Sequence, residues 1–170
     1  MVKDFFIRLL WALLLIFFQV LVFNHIRFVG HAIPLVYLYA ILQFPQTTAR
    51  WHVLLWGFAI GFVMDVFCNT PGMAASCMTV LAMLQPVLLK VFASRVSDDE
   101  FWVPGARAMG WGAFFRYAAT ATFIYVVLFF AVEAFSFFNG RELLLNIGGS
   151  FVLTTSFILA LEYIRSGSKA

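Results

Sequence analysis

Charge is what this chain has least of. Only 11% of its 170 residues are Asp, Glu, Lys or Arg, while 64% are hydrophobic. A water-soluble domain coats its surface with charges amounting to about a quarter of its residues, so a soluble globular exterior is excluded. Cysteine is also sparse, and Cys68 and Cys77 match no zinc or redox spacing. They flank a predicted turn and read either as two small buried apolar residues or as a disulfide across it. The histidines, His25, His31 and His52, share no ligand spacing, so a metal would need side chains from several separate segments. They read as interfacial, solvated imidazoles. No HExxH, GxSxG or phosphate-loop pattern occurs, and no nucleophile stands beside a base. The expectation is a non-enzymatic protein with no catalytic residue, no metal and no cofactor. The formal net charge of +3 is spread over the connections, which argues against a nucleic-acid partner.

What the chain does have is long apolar runs and 22 phenylalanines, more rings than a core of this size needs. Many of them must face acyl chains. The runs are continuous, whereas barrel strands alternate apolar and polar residues, so a membrane β-barrel is excluded. A membrane-crossing helix takes about 20 apolar residues. The expected fold is therefore an all-α integral membrane protein: a single domain over 1–170, a compact bundle of about six helices. The predicted spans are 5–23, 28–44, 51–68, 73–93, 112–135 and 143–164. Lys3 and Arg8 precede the first run, but no small-x-small cleavage site follows it, so it reads as a retained span. With that many spans, nine of the eleven Lys and Arg residues share one side with both termini; only Arg27 and Arg141 lie opposite. The positive-inside rule then places both termini in the cytoplasm.

Ionisable groups inside spans cost roughly 2.5–3.5 kcal/mol at a helix centre, so each needs a reason. Glu162 stands three residues before Arg165 and reads as an interfacial helical ion pair without a functional role. Asp65 is different. Gly57, Gly61 and Asp65 are spaced by four and share a helix face, and Asn69-Thr70-Pro71-Gly72 is a turn signal in which proline suits the first central position of a turn and glycine the second. One reading is a glycine packing seam whose Asp caps or hydrogen-bonds the turn. The other is a groove leading to an acid that meets a ligand or partner. Gly57, Gly61, Asp65, Asn69, Pro71, Gly72 and Glu133, near the outer end of the fifth span, are the candidate partner or pocket residues. Gly148, Gly149, Ser150, Thr154, Thr155 and Ser156 suit the sixth span to close packing within the protein. Gln85-Pro86 predicts a kink in the fourth span, and Pro34 breaks the second. Irregular backbone at membrane depth must lie against protein or a wet cavity, so a cavity among spans two to four is expected. Trp102 and Trp111 place the long polar connection from Ser94 to Gly110 along the headgroup region.

The stretch Gly57–Ala75, GFAIGFVMDVFCNTPGMAA, resembles the central signature of the MreD family of rod shape-determining membrane proteins: glycines four apart, an Asp four further on, a short turn, then a Gly opening a small-residue helix. Phe23-Asn24-His25-Ile26, then Gly30, Pro34 and Tyr37, resemble the opening of Bacteroidetes-type members, and Gln85-Pro86 followed by Lys90 also fits. The resemblance implies an inner-membrane component of the bacterial elongation complex, the elongasome, that controls lateral peptidoglycan synthesis and rod shape. It implies work beside the periplasmic scaffold MreC, the filament MreB, and a cell-wall glycosyltransferase and transpeptidase. It also implies a fold similar to the substrate-binding subunit of energy-coupling-factor transporters. The alternative function is a small-molecule, vitamin-like binding subunit of a membrane transporter. Such a subunit is expected to carry an alanine-rich first helix for coupling, whereas span one has Phe5, Phe6, Trp11, Phe17 and Phe18 beside the single Ala12.

Overall fold

A computed structural model of the chain describes residues 2–23, 33–93, 102–134 and 140–167. His25, His31, Arg27, Gly30 and the acids Asp98, Asp99 and Glu100 lie outside the described residues. The elements are α1 (Val2–Phe18), α2 (Tyr39–Leu42), α3 (Arg50–Cys68), α4 (Met73–Phe92), α5 (Ala106–Met109), α6 (Trp111–Ala134) and α7 (Gly140–Gly167). Among the described residues there is no strand. Four helices, α3, α4, α6 and α7, are long and apolar enough to cross a membrane, and α1 offers a shorter apolar stretch, Arg8–Leu21. This is the pattern of a multi-pass membrane protein.

The outward faces are apolar, as lipid requires. Phe58 and Phe62 stack one turn apart on α3, and Phe6, Leu10, Phe17, Phe67 and Leu144 are all more than half exposed. The buried residues of α3 recur at 53, 57, 60, 61, 64 and 65, one helical face, and that face meets α4. α6 packs in turn on α4 and on α7. α6 and α7 run antiparallel, since Trp111 meets Tyr163 at 6.2 Å and Phe123 meets Phe151 at 5.8 Å between ring centroids.

The second predicted span differs most from expectation. It is not a continuous helix: residues 33–35 are irregular, Val36–Leu38 form one 3₁₀ turn, and α2 adds four residues. It is also the most deeply buried segment, with Leu35 to Tyr39, Ile41 and Leu42 at most 3% exposed. Pro34 accounts for the break, having no N–H to give and disfavouring helix before it. The freed backbone groups are met by side chains of other helices. Gln19, in the π turn Gln19–Phe23 that ends α1, donates from Nε2 to the Pro34 carbonyl (2.7 Å) and accepts the Val36 N–H (3.0 Å). Ser150 and Thr154 of α7 accept the Ile33 and Leu35 N–H groups at 3.0 and 2.9 Å. Gln85 Nε2 reaches the Phe44 carbonyl (2.9 Å) and the Tyr117 hydroxyl the Leu42 carbonyl (3.2 Å). Over residues 33–44 these freed backbone groups are met by protein donors and acceptors, one of the two settings that irregular backbone at membrane depth requires. Of the α7 residues read as packing positions, Ser150, Thr154 and Thr155 are buried, whereas Gly148 and Ser156 lie on the exposed face.

Candidate functional site

The candidate residues converge on the α3–α4 hairpin. A Cβ added to Gly57 would stand 2.7 Å from the Ala82 Cβ, and one added to Gly61 would stand 2.5 Å from the Ala75 Cα and 2.6 Å from the Ala74 oxygen. The glycines therefore exist to let α4 lie directly on α3. The groove predicted along this face is filled by α4 itself.

One turn beyond, Asp65 is 4% exposed. Its Oδ1 accepts the Ala74 N–H (2.8 Å) and the Thr70 hydroxyl (3.0 Å), and Oδ2 accepts the Ala75 N–H (2.9 Å). Ala74 and Ala75 open α4, whose N-cap, Gly72, has no side chain to offer. The carboxylate of one helix thus does the capping of the next, meeting two orphan N–H groups and the positive end of the helix dipole. The Asp65 main-chain carbonyl ends α3 as well, accepting the Asn69 N–H and the Thr70 N–H (3.1 Å). Asn69 adopts the left-handed conformation at φ 55°, giving a Schellman-type stop. Thr70 to Met73 close a turn through the Met73 N–H and Thr70 carbonyl (3.3 Å), with Gly72 at φ 85° in the position that favours glycine. This is the turn chemistry expected from Pro71-Gly72. Of the two readings of the Asp65 face, the geometry is that of a closed seam with a capping acid.

Asn69, Pro71 and Gly72 are exposed at the tip of this hairpin, and Glu133 is exposed near the end of α6. The close packing of Gly57 and Gly61 on α4 and the Asp65 hydrogen bonds gather these residues and the turn into one unit; Glu133 is not among the Asp65 contacts. Cys68 and Cys77 are free thiols. Because Ala74 and Ala75 lie against Gly61, Cys77 faces the chain well before Cys68, outside the reach a disulfide needs.

A second buried acid was not anticipated. Glu162 pairs with Arg165 at 3.4 Å as expected, but it is only 3% exposed and does much more. Its Oε2 accepts the Tyr39 hydroxyl (2.6 Å) and its Oε1 the Ala106 N–H (2.8 Å) at the start of α5. Gly105 allows this approach, since a Cβ there would sit 2.6 Å from Oε1. Arg165 also donates to the Pro104 carbonyl, and Arg107 donates to the Ser166 carbonyl. The interfacial surface pair is thereby corrected to a buried clasp joining α2, α7 and the segment leading into α5. Trp102, expected along the headgroups, is partly buried against the core. Between the two acids, the Tyr37 and Tyr125 hydroxyls hydrogen-bond to one another at the centre of the bundle.

No family model, curated protein or solved structure matches the chain.

Proposed function

We propose that this chain is a non-enzymatic inner-membrane component of the bacterial elongation complex, similar to the MreD family, that acts by binding other membrane and periplasmic proteins. In this reading the chain spans the membrane about six times with both termini in the cytoplasm. Its partners are an MreC-like scaffold, an MreB-like filament system and the glycosyltransferase–transpeptidase pair. The observation that carries the reading is the combination of Gly57, Gly61, Asp65 and the Asn69–Gly72 turn in one self-capped hairpin. The resemblance rests on the same residues. A carboxylate saturated by N–H and O–H donors is committed to holding shape rather than to chemistry. The hairpin then presents a rigid tip, Asn69-Thr70-Pro71-Gly72, toward the periplasm as a contact surface.

Affinity purification of the tagged full chain from native membranes tests this. The expected result is recovery of a coiled-coil scaffold and cell-wall polymerases. An Asn69→Gly/Pro71→Ala chain, which keeps the positive φ and removes only the tip side chains, is expected to fold normally and lose the scaffold. Recovery of ATPase subunits and a coupling protein would replace this reading with the transporter one.

A further inference from the structure

We propose that Glu162 couples two separate pieces of the fold, the buried irregular segment 33–44 and the segment 102–109 beside the end of α7, so that loosening either one loosens the other. Neither piece has much hydrogen bonding of its own. Residues 33–35 are irregular and α2 has four residues, while Pro104 and Gly105 lead into α5, which also has four. Helices that short are held by what they touch, not by their own turns.

What the two pieces share is one carboxylate. Its Oε2 accepts the Tyr39 hydroxyl at 2.6 Å and its Oε1 accepts the Ala106 N–H at 2.8 Å. The two oxygens belong to one planar group, so a carboxylate that follows one donor turns away from the other. Tyr39, Pro104, Gly105 and Ala106 are all buried around it, and with Glu162 itself 3% exposed, water does not replace a donor that leaves. Gly105 lies so close that a Cβ there would stand 2.6 Å from Oε1, so a shift of that segment reaches the carboxylate at once. Arg165 spans the same junction, its Nη1 standing 3.4 Å from both Oε2 and the Pro104 carbonyl. Local openings that share a contact in this way shift each other's populations, and the effect is reciprocal. The Asp65 hairpin, held by donors of its own, is the internal reference.

The test is hydrogen–deuterium exchange with mass spectrometry on the full chain in detergent, comparing Gly105→Ala and Tyr39→Phe with the parent. Gly105→Ala pushes on the far end of a flexible side chain. It is expected to speed exchange over 36–44 as well as over 105–109, by up to about tenfold, the weight of one hydrogen bond. Tyr39→Phe is expected to speed exchange over 105–109 as well as over 36–44. In both variants the hairpin, 57–75, is expected to keep the parent's rate. The thermal transition of the double variant is expected to fall by less than the sum of the two single shifts. A response confined to the altered residue's own side of Glu162, or additive thermal shifts, would overturn the proposal. Should Gly105→Ala speed exchange in the hairpin too, Tyr39→Phe, which removes only a hydroxyl, decides by itself. The coupling does not rest on the hairpin tip or its partners, so the two readings fall separately.

Discussion

Asp65 and Glu162 are both buried carboxylates that cap a helix from a neighbouring helix, at opposite ends of the bundle. Their settings differ. Asp65 is held wholly by donors within ten residues of itself, two backbone N–H groups and the Thr70 hydroxyl. Glu162 gathers donors 56 and 123 residues away and keeps a cation three residues on. One acid closes a local hairpin; the other fastens segments that only the finished fold brings together. A backbone N–H can only donate, whereas the Tyr39 hydroxyl can turn and accept. The two sites should therefore respond differently to the same chemical change.

The largest effect is expected at the seam below Asp65. Gly61→Leu drives a side chain into the backbone of Ala74 and Ala75 and should cost about 3 kcal/mol or more, read as a collapse of the thermal transition in detergent. Gly57→Ala should be milder than Gly61→Ala, because the backbone it meets, the Met78 oxygen, stands 2.9 Å off, whereas at Gly61 the Ala75 Cα and Ala74 oxygen stand at 2.5 and 2.6 Å. Next come the acids. Asp65→Ala and Glu162→Ala each strand buried donors at about 1–3 kcal/mol apiece, so both should lower the transition clearly. High salt should lessen the Glu162 deficit only slightly, since Arg165 is partly exposed. Tyr39→Phe removes one bond to Glu162 and should cost about 1 kcal/mol. Gly72→Ala should cost about 1–2 kcal/mol through its positive φ alone, as no atom lies within 4 Å of the added methyl.

The same contrast explains what the sequence discloses. The hairpin was legible because glycine spacing, Asp65, the Pro71-Gly72 turn and their partners fall in one stretch, where helical geometry fixes who meets whom. The four long helices were legible from apolar runs of membrane length. Glu162 was not, because its position near Arg165 is equally that of a surface pair, and nothing near it in the chain names Tyr39 or Ala106. Gln19 was hidden for the same reason, a lone amide inside the first apolar run whose partners, Pro34 and Val36, lie past a predicted turn. The irregular second span could be foreseen from Pro34, but its protein partners could not. Ser150 and Thr154 gave only a general signal for packing within the protein.

Asp65 is a committed helix cap, whereas Glu162 is an adaptable clasp. Thermal unfolding of Asp65→Asn and Glu162→Gln, in the full chain and the same detergent, measures the difference. Asp65→Asn is expected to lower the transition more, because its amide N–H₂ must face a backbone N–H that cannot reverse, while Gln at 162 can donate to the Tyr39 oxygen and the partly exposed Arg165 can turn from it to the Pro104 carbonyl and water. A larger drop for Glu162→Gln, or no drop for Asp65→Asn, would contradict these roles.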